Sequence, residues 1–256
     1  MSVKRDPVVS TPPKPLQSSV PEEDTFLQPD PPDISDLVIE DDQPVDSLYS
    51  EKLQRLLVSC LYASFQPGIP FLATANVGLF YALKSPPLVP DVMVSLEVSP
   101  PASFERKEDR TYFVWEMGKP PDVAIEIVSN KKGQELGRKL RDYARAGLSY
   151  YVVYDPLHQL KELQGSSLAL FRRQGGEFVP FDSTWLEDIG LGLTLWQGSF
   201  EGVNTEWLRW CDREGQVLLT GEERAALESQ RAAAEQQRAE QLLQLLRAHG
   251  ITPPGA

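Results

Sequence analysis

Two carboxylates in this chain sit where a carboxylate is expensive. Glu126 interrupts the otherwise apolar run Val123-Ala124-Ile125-Glu126-Ile127-Val128, and Asp91 stands at the head of Asp91-Val92-Met93-Val94. A charge in apolar surroundings is costly unless it is paired, protonated or bound to a cation. If the two runs pair as neighbouring strands, the acids meet. Hard oxygen ligands of this kind suit Mg²⁺ or Mn²⁺, which keep several waters and take one or two protein carboxylates beside substrate phosphates. The same residues equally suit a purely structural arrangement, with Asp91 capping a strand end and Glu126 paired to a basic side chain.

A lysine lies within reach of the second acid. The spacing after Val128 predicts a helix over about 133–146, with Leu136, Leu140, Tyr143, Ala144 and Gly147 on one face. At 100° per residue, Lys139 falls about 85° from the centre of that face. From there it can lay its stem along the core and extend its ammonium toward the strand of Glu126, or remain an ordinary surface lysine. Around it, Lys131, Lys132, Arg138, Lys139, Arg141 and Arg145 outnumber Glu135 and Asp142, leaving local positive charge that can meet phosphates.

Other familiar chemistries find no support. The chain has no GxxxxGK[ST], GxGxxG, GxSxG or HExxH, and its only histidines, His158 and His249, fall in a turn and near a helix C-terminus. Cys60 and Cys211 are too few and too far apart for a disulfide framework or a cysteine-rich metal site, and are expected as reduced packing residues.

The elements that must position these residues follow from composition and pattern. The chain has 256 residues, 41% of them hydrophobic and 24% charged, the balance of an ordinary globular protein. No stretch is apolar enough to span a bilayer and the start has no signal-peptide run, so a cytoplasmic protein with no membrane partner is expected. The net charge of -12 is unevenly spread: residues 1–46 hold 3 basic and 11 acidic residues, with 9 of the 22 prolines. Residues 1–46 read as a disordered acidic tail, which could also fold over a basic cleft as a mimic of DNA. Residues 47–219 read as one domain. It opens with an amphipathic helix on Leu53, Leu56, Leu57, Cys60 and Leu61, followed by short strands within 69–75, 77–83, 89–96 and 112–115. A strand–helix–strand crossover spans 123–154, and short strands within 168–211 are expected to extend the same sheet as a meander. Thr220 and Glu223 form a capping box that opens a long helix over 220–250. Its heptad-spaced Leu218, Ala225, Ala232, Ala239 and Leu246 leave room for a weak coiled coil and a homodimer. Residues 251–256 are expected to be disordered.

Taken together, Val89-Pro90-Asp91-Val92, then the run from Pro120 through Glu126 to Asn130, then Gly137-Arg138-Lys139-Leu140-Arg141-Asp142-Tyr143 through Asp155-Pro156 resemble the bacterial Uma-two family of restriction-endonuclease-like proteins, over about residues 47–215. The resemblance implies an α/β fold of the PD-(D/E)XK nuclease type, a mixed central β-sheet flanked by helices. It implies Asp91 and Glu126 as metal-binding acids together with the carbonyl of Ile127, and a Mg²⁺- or Mn²⁺-dependent endonuclease that leaves 5′-phosphates on DNA. The motif places a lysine two residues after the second acid, where this chain has Val128; the resemblance moves that role to Lys139. Glu51, on the first helix, matches the place of an extra acid in related nucleases. The rival expectation is a catalytically inactive nuclease-fold module that binds nucleic acid or protein partners.

Overall fold

The computed structural model describes residues 47–129 and 134–249. The expected acidic tail and the end beyond residue 250 lie outside the described residues. Helix α1 (Leu48–Ser64) begins at Ser47, whose hydroxyl accepts the Ser50 N–H at 3.1 Å, so a helix donor left without an intrahelical partner is satisfied by its cap. The chain continues through β1 (Phe71–Ala75), β2 (Leu79–Phe80), β3 (Val92–Leu96), β4 (Tyr112–Phe113), the single turn α2 (Val114–Met117) and β5 (Val123–Ile127). A π-helical turn, Glu135–Lys139, leads into α3 (Leu140–Ala146), and β6 (Tyr150–Tyr154), β7 (Leu168–Gln174) and β8 (Glu177–Pro180) follow. The described chain closes with β9 (Trp185–Leu186), β10 (Leu191–Phe200), β11 (Val203–Cys211) and α4 (Gly221–Ala248).

The main sheet has the order β1-β3-β5-β6-β7-β8. Within it β5 and β6 run parallel, Glu126 opposite Val153, and the other neighbours are antiparallel. This is the mixed sheet flanked by helices that the family resemblance implies. Because side chains alternate along a strand, one face carries Val92, Val94, Ile125, Ile127 and Val152 against α1, and the other carries Met93, Ala124, Tyr151 and Val153 against α3. Glu126 falls on the α3 face by the same alternation. The turn into the next strand is closed by Gly147, at φ 95°, where a Cβ would also lie 3.2 Å from the Pro120 ring.

Two expectations change. The strands after 181 do not widen the main sheet; β11-β10-β9 form a separate three-stranded sheet. Their apolar residues Leu191, Leu193, Trp207, Leu208 and Trp210 belong to the core around α1, and Trp210 donates to the Leu57 carbonyl at 3.1 Å. Packing that face against the helix takes its apolar area out of water. The helix expected over 133–146 is also not uniform. Its first turn is π-helical, with the Lys139 N–H bonded to the Gln134 carbonyl at 3.2 Å.

At the C-terminal end, the capping box forms: Glu223 N–H donates to the Thr220 hydroxyl, and Thr220 N–H to the Glu223 carboxylate at 2.7 Å. None of the 28 residues of α4 is buried. Cys60 and Cys211 are both buried and unbridged. Among the described residues no helix is long and apolar enough to cross a membrane.

Candidate functional site

Strand β5 delivers Glu126 into the layer between the sheet and α3, where only 2% of the residue is exposed. Each carboxylate oxygen has a partner there. Tyr143 Oη donates to Oε1 at 2.6 Å, and Lys139 Nζ donates to Oε2 at 2.8 Å. Both donors come from the same helical segment, four residues apart, so one face of it meets the acid twice. Tyr143 is itself pinned by a stacked ring contact with Tyr151, 5.1 Å between centroids.

Asp91 stands directly before β3 and ties two elements together. Its Oδ2 accepts the Ile127 N–H at 2.6 Å, and its Oδ1 accepts from Gln54 Nε2 at 2.8 Å. The first bond sets Asp91 beside the residue that follows Glu126. Because the N–H and C=O of one strand residue point the same way, the Ile127 carbonyl is turned toward the Asp91 side of β5. The second bond brings in α1, and Asn76 Nδ2 extends the chain by donating to Gln54 Oε1 at 2.9 Å.

The charges of the three residues feel one another. Burial pushes the Glu126 carboxyl up, the Asp91 charge adds to that rise, and Lys139 and Tyr143 oppose it; the balance stands at about 7. Burial works against the Lys139 ammonium, but Glu126, Glu135 and Asp91 together carry it above its ordinary value. Lys139 also lies 3.6 Å from Glu135, four residues earlier and nearly as buried as Glu126. A cleft of about 660 Å³ reaches Lys139 and Tyr143 of this cluster, with Tyr81, Arg138 and Arg145 among its other lining residues. Arg138 and Arg145 both lean on Asp142 at its edge, at 3.2 and 3.7 Å.

The sequence-predicted trio is thus placed as follows. Glu126 and Lys139 touch, and Asp91 sits against the backbone of the next residue. Glu51 is not brought to them by any contact described; it pairs with Arg55 at 2.5 Å and lines a different cleft. The α1 residue that reaches Asp91 is Gln54, one turn further on. Val128, at the position of the motif lysine, is buried in the α3-side core. Sequence reasoning also passed over Tyr143 as a mere apolar residue, though its spacing from Lys139 was the available signal, and it counted Glu135 only as a charge.

The donor chemistry fits a small hard cation. Among the described residues no group of three or more His, Cys, Asp or Glu side chains is spaced to hold a metal. Two carboxylates and a strand carbonyl are nevertheless what Mg²⁺ or Mn²⁺ asks of a protein when water and phosphate complete its shell. Burial is the main cause of the rise at Glu126, and the smaller part that comes from the Asp91 charge is what a cation beside both acids would relieve.

The comparisons with known proteins bear on the same region. No curated protein matches the chain. A crystal structure of a nuclease from Anabaena variabilis, described as putative and belonging to DUF820, shares 19% identity over 56% of this chain and 72% of that one, with a TM-score of 0.37. The family model named Uma2, described as "Putative restriction endonuclease", matches residues 38–194, a span that holds Asp91, Glu126 and Lys139. Nuclease chemistry is what that description implies at the coarse level. Since the match takes in more than half of its length, the chain belongs to the Uma2 family.

Proposed function

We propose that the chain is a divalent-metal-dependent endonuclease that hydrolyses phosphodiester bonds in DNA, with Asp91, Glu126 and Lys139 as its catalytic residues. One observation carries this reading: a lysine that lines an open cleft beside two arginines, its ammonium 2.8 Å from a buried carboxylate behind it that also feels the charge of Asp91. Asp91, Glu126 and the Ile127 carbonyl would hold Mg²⁺ or Mn²⁺. Such an ion, when bound, polarises the phosphate and lowers the pKa of a bound water. Lys139 orients the attacking water and offsets the negative charge that grows on the phosphate. Tyr143 holds the Glu126 carboxylate in one orientation, and Arg138 and Arg145 meet backbone phosphates along the cleft. In this reading residues 47–219 form the nuclease domain and the helix over 220–250 is an appendage to it.

Nicking of supercoiled plasmid in Mg²⁺ or Mn²⁺ tests the reading. Lys139→Ala is expected to lower the rate by about 10²-fold, the usual effect of removing one stabilising donor. Undiminished cleavage by Glu126→Ala would remove that acid from the mechanism. A second reading, a non-cleaving module, draws on Val128 at the motif position and on both Glu126 oxygens already having partners. Calorimetric titration with Mn²⁺ separates the two, since binding abolished by Asp91→Ala belongs to the enzyme and no binding at all to the module.

A further inference from the structure

Glu135 is a buried acid beside Lys139 whose chemistry the mechanism above leaves unused. Its side chain is 6% exposed, Oε1 lies 3.6 Å from Lys139 Nζ, and Oε2 is buried with no hydrogen-bond partner among the described residues. A buried carboxylate oxygen without a donor carries the full cost of its lost hydration, so it calls for a reason.

The surroundings supply one. Glu135 opens the π-helical turn, and its carbonyl accepts from Tyr151 Oη at 3.0 Å, so its backbone is held in place. Lys139, by contrast, ends a flexible four-carbon stem, has three donors and is 37% exposed. Its ammonium already lies between two carboxylates, bonded to Glu126 and close to Glu135. If Glu126 is to ligate a divalent cation, an oxygen now bonded to Lys139 must be given up, and the cation repels the ammonium. A fixed, buried, half-satisfied carboxylate four residues earlier is a place for that ammonium to go.

We propose that Glu135 is a positioning residue that takes over the Lys139 ammonium when Glu126 turns to a divalent cation, keeping the lysine beside the reaction rather than in solvent. The inference rests on the metal-dependent reading above. It is tested by calorimetric titration of Mn²⁺ into the full chain as wild type, Glu135→Gln, Lys139→Met and the double variant. Glu135→Gln leaves Lys139 with Glu126 alone, and is expected to weaken Mn²⁺ binding about tenfold, as loss of an outer-shell partner does. In the Lys139→Met background the same change is expected to have no effect on the affinity. Wild-type affinity in Glu135→Gln overturns the inference and leaves the nuclease reading standing. A loss that persists without Lys139 also overturns it, because Glu135 would then act independently of the lysine. No Mn²⁺ binding by the wild type overturns the metal-dependent reading and this inference with it. Should Glu135→Gln fail to fold, a Mg²⁺-soaked crystal of the wild type decides instead: Lys139 Nζ within hydrogen-bond distance of Glu135 supports the transfer, and Nζ still on Glu126 overturns it.

Discussion

Two ion pairs among the described residues, each with one buried partner, are built on opposite principles. Arg209 in β11 has no exposed surface, and its guanidinium grips Glu223 at the start of α4 with two bonds of 3.0 and 2.8 Å. It also donates to the Leu218 carbonyl and lies 4.8 Å over the Trp196 ring. Burial raises the Glu223 carboxyl, but the bonds from Arg209 and Thr220 outweigh it and leave it below its ordinary value. At Glu126 the contest goes the other way: burial wins over Lys139 and Tyr143, and the carboxyl is carried up to about 7. A rigid fork bonded twice to its acid makes a pair that holds two elements together. A point charge on a mobile stem, facing a cleft, makes a pair that can be opened. The first fastens a helix to a sheet; the second leaves an acid short of compensation, as acids that must bind or react are.

Exchanging each acid's role breaks this contrast most directly. Glu126→Gln is expected to lower plasmid cleavage by about 10³-fold while leaving the urea midpoint of the metal-free protein at pH 8 unchanged or higher, because the lost charge was a burden to the fold. Glu223→Gln should leave cleavage close to wild type. Next in size, Arg209→Met is expected to cost about 3 kcal/mol in urea denaturation, since it strands a partly buried carboxylate and removes the contact over Trp196. Parallel stability losses in the two Gln variants would erase the distinction.

The pH dependence sharpens it. Glu126 ionises near 4.5 when unperturbed and near 7 in the fold, so between those values the folded protein holds a proton that the unfolded chain has released. Its contribution to stability is therefore present below about 4.5 and is lost as pH rises through about 7. Glu223 slopes the opposite way, its contribution being present above the ordinary carboxyl range and lost as pH falls. A cation needs the ionised form of Glu126, so Mn²⁺ affinity is expected to fall about tenfold per pH unit below 7, measured by calorimetry in low-affinity buffer. The smallest expected effect is at Tyr143. Tyr143→Phe removes the 2.6 Å bond to Glu126 and should move the acidic limb of the Mn²⁺-binding profile upward by about one pH unit.

Much of this was open to inspection along the chain. The apolar run around Glu126 marked a strand covered on both faces, the repeat of Leu53, Leu56, Leu57, Cys60 and Leu61 marked α1, and Thr220 with Glu223 marked the start of α4. Those patterns are local: period two for a strand, near 3.6 for a helix, and cap residues at fixed offsets, so a one-dimensional string carries them. Periodicity also turned Lys139 toward the strand of Glu126. It had no hold on partners remote in sequence. That Gln54 rather than Glu51 meets Asp91 depends on how far α1 slides along the sheet, a matter of core packing. The separate β9–β11 sheet depends on which apolar faces find each other around α1. The π-helical turn, which the even helical spacing of 133–146 does not foretell, begins at Glu135, whose burial against β6 exists only once the strand, the helix and Tyr151 are assembled. The amino-acid order by itself determined the elements and the residue types that could do chemistry. Tertiary structure alone decided which charges are buried together, because burial and mutual distance, unlike periodicity, are properties of the assembled layers.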